Sequence, residues 1–220
     1  MFDVTNYPAE ARQQFLQKTL PIFGFMLLIT GVVTYWMAAS GAWMAVARMG
    51  LIGMLLLFGV QIGMIYGARA FRESYPFNIV FAIAFAVVEG VFISPLIAIY
   101  LAANPIVIGQ ALVITSFIML GLAAVVWFTN RDFRPMGMFL IMAVFGLIGL
   151  SLLQFIVGQF PSGIQLAINV GTIVIFSLFV LYDMSKILKN EFGPVGGAIS
   201  LYIDFIVIFI HLLQLLGSRE

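Results

Sequence analysis

The stretch PMGMFLIMAVFGLIGLSLLQFIVGQFPSGIQLAINVGTIVIFSLFVLY, residues 135–182, runs for 48 residues without a charged side chain. A membrane-spanning helix needs about 20 apolar residues, so this stretch is long enough for two spans. Its middle contains QFPSG, residues 159–163, which favours a turn because proline lacks an N–H and glycine tolerates positive φ. The stretch therefore predicts two membrane-crossing helices joined by a short turn.

The composition of the whole chain has the same membrane character. Of its 220 residues, 63% are hydrophobic and 9% are charged, whereas soluble domains have about 45–50% apolar and about 25% charged residues. So few charges cannot cover the surface of a soluble domain, which excludes a soluble enzyme, a nucleic-acid-binding protein and a disordered chain. A transmembrane β-barrel would show alternating rather than continuous apolar residues. The composition therefore predicts an all-α membrane protein.

Charge-free windows divide the chain into seven predicted transmembrane helices, because each window holds about 20 apolar residues or more. The connections are short, so we expect one seven-helix transmembrane domain over residues 20–220, preceded by a short cytoplasmic tail over residues 1–19. Asn104 followed by Pro105 marks the break between the third and fourth spans. The predicted spans are residues 20–40, 49–68, 76–102, 106–129, 136–158, 164–188 and 196–216.

The distribution of lysine and arginine predicts the orientation, because basic residues are enriched in cytoplasmic loops. With seven spans, eight of the ten basic residues lie on the side of the N-terminus, and Arg48 and Arg219 lie on the other side. The N-terminus is therefore predicted to be cytoplasmic. If the last segment enters the membrane and returns, the C-terminus is cytoplasmic too and the distribution becomes nine to one, so the side of the C-terminus stays open.

Three acidic residues, Glu89, Asp183 and Asp204, lie inside predicted spans. A carboxylate at the centre of a bilayer costs about 2.5–3.5 kcal/mol on insertion scales, so we expect these groups to face the bundle interior. Asp183 lies ten residues before Gly193, and Asp204 lies eleven residues after it. Because the turn at Gly193 makes the last two helices antiparallel neighbours, the two aspartates are predicted to reach a similar depth.

Two carboxylates held side by side in a low dielectric cannot easily both ionise, so they share a proton and titrate as a pair. The pair formed by Asp183 and Asp204 is therefore predicted to sense pH near neutrality and to act as a cation gate. Calcium prefers carboxylate and carbonyl oxygens, which makes Asp183, Asp204 and Glu89 candidate Ca²⁺ ligands.

Glu89 has two interpretations. Pro95 follows it by six residues and is expected to kink the helix and to free the carbonyl of Val91. Glu89 and Val91 would then form a second contact along a cation path. In the alternative, Glu89 is protonated and hydrogen-bonded to a neighbouring helix.

Basic side chains near the acidic pair are candidates for a latch or a relay. Arg69 ends the second span, and Lys186 lies three residues after Asp183 on the same helical face, so either could neutralise the aspartates. For Lys186 the alternative is an interfacial cation that extends to the headgroups. His211, the single histidine, lies on the same stripe as Asp204 and is either a proton relay or a structural residue.

Gly59, Gly63 and Gly67 form a GxxxGxxxG run on the second span. Small residues at this spacing let two helix backbones approach closely. We expect this face to pack inside the bundle, and contact with another chain is the alternative.

Five short segments resemble those of the Bax inhibitor family of membrane proteins. The most specific are the YD pair late in the sixth span and the LYIDF pattern in the last segment. The resemblance extends from about residue 20 to the end of the chain, and the short N-terminal tail suits the bacterial branch. The segments are PFN (76–78), EGVFISP (89–95), NRDF (130–133), LYD (181–183) and ISLYIDFI (199–206).

The resemblance implies a seven-transmembrane-helix bundle with the last helix central, and a pH-sensitive calcium leak with Ca²⁺ as the transported ion and no resident cofactor. In that family paired aspartates are the pH sensor, and they match Asp183 and Asp204. Arg69 is the counterpart of the arginine that pairs with them in the closed state, and Gln61 stands where some members carry an acid. A bacterial inner membrane is the expected location, and no enzymatic activity is expected.

Two other functions stay open at the level of sequence. Some bacterial members of the family bind and restrain a membrane-anchored ATP-dependent protease, which would make this chain a non-catalytic regulator. Two aspartates on adjacent helices also resemble an intramembrane aspartyl protease, but its Gly-x-Gly-Asp and Pro-Ala-Leu motifs do not occur in the sequence. The predicted partners are the lipid bilayer, Ca²⁺ and protons, with the protease as partner of the regulator and no nucleic acid.

Overall fold

The computed structural model describes residues 7–70, 74–158 and 160–218, apart from the side chains of Leu51, Arg69, Phe155 and Ile156. Within these ranges the elements are helical, and no β-strand occurs among them. Long helices are found at each of the predicted spans. In chain order the elements are α1 (Ala9–Gln14), a π-helical turn (Phe15–Thr19), α2 (Leu20–Ser40), α3 (Trp43–Ala47), α4 (Gly50–Ala70), α5 (Phe77–Ala103), α6 (Pro105–Thr129), a 3₁₀ turn (Arg134–Met136), α7 (Gly137–Val157), α8 (Ser162–Leu188) and α9 (Pro194–Gly217).

Proline and asparagine mark several helix ends. α6 begins at Pro105, because the first turn of a helix does not need the missing N–H. The Asn104 side chain accepts a hydrogen bond from the backbone N–H of Ile106 (3.1 Å) and caps the same end. α6 ends before Asn130, which adopts a left-handed conformation with φ 54°. α9 likewise begins at Pro194, so these residues define the bounds of the helices they flank.

Six helical stretches of the described chain are long and apolar enough to cross a membrane. The second predicted span lies in α4, where the apolar helical stretch is shorter and covers Ile52–Ala68. The fold is therefore an all-helical bundle with six candidate transmembrane helices, and the predicted count of seven is not confirmed. The six stretches are Ala9–Ser40, Phe77–Ala103, Pro105–Thr129, Arg134–Gln154, Ser162–Leu188 and Pro194–Gly217.

The predicted N-terminal tail is helical from residue 9 onward. α1 and the π-helical turn continue directly into α2, and together they form one candidate span, Ala9–Ser40. Tyr7 Oη donates to the backbone carbonyl of Arg131 (2.8 Å), and Arg12 Nη2 donates to Asn130 Oδ1 (2.5 Å). Hydrogen bonds thus join the start of the described chain to the loop between α6 and α7, and residues 9–19 are helical and continuous with α2. The cytoplasmic location of the tail stays a prediction.

α9 is the most buried candidate span, since 56% of its most apolar window is buried against 11–39% for the others. It packs against α2, α4, α5, α6 and α8, in agreement with a central last helix. Tyr202 of α9 is fully buried, and its Oη lies 2.5 Å from Thr30 Oγ1 of α2. The Thr30 hydroxyl also lies 3.0 Å from the Ala86 carbonyl of α5, so one polar contact joins three helices.

Candidate functional site: a buried aspartate pair

The α8–α9 hairpin sets the positions of the two aspartates. Gly197 packs so closely on Ile187 that a Cβ atom on the glycine would lie 2.8 Å from Ile187 Cγ1. Residues 187 and 197 are therefore level with each other in the antiparallel hairpin. Asp183 lies four residues from this level and Asp204 lies seven residues from it, so Asp204 is deeper by about 4.5 Å along the helix axis. The aspartates are thus about one helical turn apart in depth rather than level.

Both aspartates are buried, with 7% of Asp183 and 2% of Asp204 exposed. The negative charge of Asp183 is close enough to repel that of Asp204, so the two carboxylates interact electrostatically. Asp204 Oδ2 is buried and has no hydrogen-bond partner among the described residues. A negative charge on that oxygen would be uncompensated, which favours a bound proton or cation at this position.

Buried apolar side chains neighbour the two aspartates on their own helices. Val180 and Met184 flank Asp183 on α8, and Phe205 and Ile208 flank Asp204 on α9, and all four are buried. A low dielectric strengthens the electrostatic interaction between two charges. These buried surroundings therefore strengthen any interaction between the two aspartates when both are charged.

An ion-pair network covers the end of the bundle at the α8–α9 turn. Arg134 Nη2 donates to Asp132 Oδ2 (2.6 Å), and Arg134 Nη1 contacts Glu191. Lys186 Nζ lies 3.8 Å from Glu191 Oε2, and Lys189 Nζ lies 4.0 Å from Asp132 Oδ2. The hydrogen bond from the Arg134 side chain holds the pKa of Asp132 below its usual value. Ion pairs therefore connect the loop between α6 and α7 to the turn between α8 and α9.

The two predicted latch cations have different outcomes. Lys186 Nζ lies 4.6 Å from the centre of the Phe192 ring and 3.4 Å from Tyr182 Oη, in addition to its contact with Glu191. These contacts direct its charge toward the turn and favour the interfacial interpretation over a latch on the aspartates. The side chain of Arg69 lies outside the described part of the structure, so its role as a latch stays a prediction.

Glu89 of α5 is paired with a neutral group on α4. Gln61 Nε2 donates to Glu89 Oε2, and both residues are buried, with 6% of Gln61 and 9% of Glu89 exposed. This contact agrees with the alternative in which Glu89 bonds to a neighbouring helix. Among the described residues, no group of three or more acidic, histidine or cysteine side chains could hold a metal ion. Glu89 therefore does not join the aspartate pair in a single Ca²⁺ site.

The carbonyl of Val91 has a side-chain partner in place of the backbone hydrogen bond that Pro95 cannot make. Pro95 lies inside α5 and has no N–H to donate to this carbonyl. The hydroxyl of Ser94 donates to the Val91 oxygen instead (2.7 Å). One lone pair of this oxygen is thus engaged by Ser94, and a cation contact at Val91 stays a prediction.

His211 is bonded away from the aspartates. Seven residues separate it from Asp204, which is about 10 Å along the axis of α9. His211 Nδ1 lies 2.9 Å from Asn169 Oδ1 of α8. The prediction of a direct relay to Asp204 is therefore not supported, and the structural interpretation of His211 is favoured.

Two features near the site were missed by the interpretation of the sequence. Gln61 was noted only as a replacement for an acid, although a lone amide in an apolar span signals a polar contact with another helix. The pairing of Asp132 with Arg134 is not among the predictions, although two opposite charges two residues apart in a turn can pair. Neither signal specifies the partner on a distant segment.

The fold and the buried acids define a class of protein, namely a helical integral membrane protein with interacting ionisable groups inside its bundle. Comparison with known proteins then gives the family. The family model described as "Inhibitor of apoptosis-promoting Bax1" matches residues 12–220. The chain belongs to the Bax inhibitor-1 family.

Relatives of the chain occur in bacteria and in eukaryotes. Bax inhibitor 1 of Schizosaccharomyces pombe is 30% identical over 215 residues, which cover 95% of this chain and 78% of the relative. An uncharacterised protein of Campylobacter jejuni is 30% identical over 208 residues, which cover 93% of this chain and 88% of that protein. An uncharacterised membrane protein of Vibrio cholerae is 29% identical over 220 residues, which cover 96% of this chain and 97% of that protein. The family fits a channel-like or regulatory role in a membrane and is not known for enzymes.

Proposed function

We propose that the protein is a calcium leak whose conduction is controlled by the protonation of Asp183 and Asp204. The observation that carries the proposal is the buried Asp204 Oδ2, which lacks a hydrogen-bond partner in the described structure and lies near the charge of Asp183. In this proposal the loss of one proton from the two interacting carboxylates is the pH-dependent step. Release adds a full negative charge between α8 and α9, in surroundings where that charge acts strongly on helix packing.

Glu89 is a second contact for the cation in this proposal. It is a buried acid whose described partner is the uncharged amide of Gln61, so no basic side chain competes with a cation at that contact. An acid inside a transmembrane bundle typically marks an ion or proton path. The proposal takes the N-terminus as cytoplasmic, because most basic residues lie on that side. It takes the membrane as the bacterial inner membrane, because bacterial proteins are among the similar sequences.

Calcium flux against pH tests this function. Purified protein is reconstituted in calcium-loaded liposomes, and efflux is measured from about pH 6 to about pH 8, the range that a shared proton makes accessible. We expect the wild-type flux to change over this range and the flux of Asp204→Asn to be independent of pH. Glu10→Gln, which changes an exposed acid of α1, is the matched control and should keep the wild-type profile. Identical flux in wild type and Asp204→Asn at every pH would exclude the gate.

A second candidate function is regulation of a membrane-anchored ATP-dependent protease by direct contact. The glycine run on α4 is not packed inside the bundle as predicted, since a Cβ atom on Gly59 or Gly63 would meet no described atom within 4 Å. Only the third glycine of the run is covered, because a Cβ atom on Gly67 would lie 2.6 Å from the Phe81 ring of α5. An uncovered small-residue face suits a helix of another protein.

Co-purification of the protein with such a protease tests this second function. Gly63→Leu is expected to abolish co-purification because the larger side chain prevents close approach of a helix. Gly121→Leu is the matched control, since Gly121 lies on α6 and a Cβ atom there also meets no described atom within 4 Å. Co-purification that survives both Asp→Asn substitutions but not Gly63→Leu would separate this function from the leak.

A further inference from the structure

A polar cavity of about 730 Å³ lies at the end of the bundle where α7 ends, α8 begins and α9 ends. This end is opposite to the α8–α9 turn and its ion-pair network. Two other large cavities between the helices are lined almost entirely by apolar side chains. The polar cavity instead presents four amides and two hydroxyls, from Gln154, Gln165, Asn169, Gln214, Ser162 and Ser218.

A chain of hydrogen bonds leads from this cavity into the bundle. Gln154 Nε2 donates to Gln165 Oε1 (3.1 Å), and Gln165 Nε2 donates to Asn169 Oδ1 (3.5 Å). Asn169 is only 3% exposed, and its Oδ1 also lies 2.9 Å from His211 Nδ1. Because this oxygen is an acceptor, His211 donates from Nδ1. The described lining of the cavity contains no charged side chain, and its amides bond partly to one another.

The buried apolar side chain of Ile208 lies on α9 between His211 and Asp204. His211 is about 10 Å from Asp204 along α9. Ile208 lies between them, one helical turn from Asp204, and is fully buried. Apolar constrictions of this kind gate a channel by excluding water.

We propose that the amide-lined cavity is a vestibule that binds hydrated divalent cations and admits them toward Asp204 past Ile208. Neutral amide and hydroxyl oxygens can replace outer waters of Ca²⁺ without holding the ion tightly, which conduction requires. The proposal rests on the calcium leak proposed above and names the entrance to it.

The absence of cysteine from the sequence permits a direct test by single-cysteine labelling. Gln165→Cys and Gln214→Cys place a thiol in the vestibule from α8 and from α9. Val170→Cys is the matched control, because Val170 lies on α8 next to Asn169 but is 44% exposed on the outside of the bundle. A cationic, membrane-impermeant methanethiosulfonate reagent should modify both vestibule thiols at least about tenfold faster than the control, because lipid excludes a charged reagent.

Competition with calcium tests binding in the same variants. CaCl₂ at constant ionic strength should slow modification of the vestibule thiols and leave Val170→Cys unchanged. Equal rates in all three variants, or no effect of CaCl₂ on the vestibule thiols, would overturn the proposal. Because Gln165→Cys and Gln214→Cys lie on different helices, loss of one variant through misfolding still leaves the other to decide the result.

Flux measurements separate this proposal from the leak itself. Gln165→Leu should reduce calcium efflux several-fold, whereas Val170→Leu should leave it unchanged. If Asp204→Asn abolishes the pH dependence but neither vestibule thiol reacts, the leak stands and the vestibule is wrong. If the thiols react and are protected by CaCl₂ while Asp204→Asn behaves as wild type, the vestibule stands and the gate is wrong.

Discussion

The ion pair between Asp132 and Arg134 makes the stability of the fold depend on pH. The hydrogen bond from Arg134 lowers the pKa of Asp132 from its ordinary value of 3.8. A carboxylate with a lowered folded-state pKa stabilises the fold above its unfolded pKa, and this stabilisation is lost as pH falls through the folded pKa. Asp132→Asn is therefore expected to lower the melting temperature at neutral pH. The decrease of the melting temperature below about pH 4 should be smaller in this variant than in wild type.

Melting curves in detergent from about pH 7 to about pH 3 check this expectation. Glu10→Gln removes an exposed acid of α1 and serves as control, because an isolated surface charge contributes little. Parallel profiles for wild type and Asp132→Asn would show that the ion pair does not stabilise the fold.

Gln61 and Glu89 provide a second prediction at this scale. Gln61→Leu leaves the buried carboxyl of Glu89 without its described donor, which is expected to destabilise the protein by about 1–3 kcal/mol. Replacing both residues by leucine removes donor and acceptor together, so much of the stability should return. Unfolding in micelles of wild type, both single variants and the double variant gives the coupling energy. Gln17→Leu, at an exposed position, is the control, and additive effects would show that the contact contributes nothing.

At the scale of elements, the α8–α9 hairpin is the element on which the site depends. Gly197→Ala places a methyl group 2.8 Å from Ile187 Cγ1, so the buried Ile187 side chain has to shift or the two helices have to separate there, at a cost of about 1–3 kcal/mol. Separation of the helices would move Asp204 relative to Asp183, so we expect the pH midpoint of flux to shift as well. The neighbouring Gly196→Ala is a matched control, because its methyl group meets Phe192 Cβ at an ordinary 3.8 Å. Melting temperature and pH midpoint that are equal in the two variants would show that the close contact does not position the pair.

The elements themselves could be predicted from the sequence to a large extent, because charge-free runs and turn residues are local signals. The breaks at Asn104 and at Gly193 were located by their turn chemistry, and helices end there. The short helix α3 was not predicted, since five residues between two spans have no periodicity of their own. The depth difference between Asp183 and Asp204 was also missed, because it depends on which side chains pack at the turn.

At the scale of the whole molecule, polar groups are arranged at three levels along α9. Ion pairs lie at the α8–α9 turn, the aspartate pair lies within the bundle, and the amide-lined cavity lies at the far end. Buried apolar residues separate the inner levels. The buried acids could be predicted from the sequence as functional residues, because carboxylates inside membrane spans are costly. The partners of Glu89 and His211 could not be predicted, because they lie on other helices and have no local signal in the sequence. The same arrangement agrees with a path that crosses the membrane along α9.

Gating of the calcium leak by Asp183 and Asp204 is tested most directly by calcium efflux against pH. The efflux is compared in the same type of liposome for wild type, Asp183→Asn, Asp204→Asn and the double variant. If the two carboxylates share one gating proton, each single substitution removes the pH dependence and the double variant behaves like either single variant. A double variant that keeps the wild-type pH dependence would contradict the account.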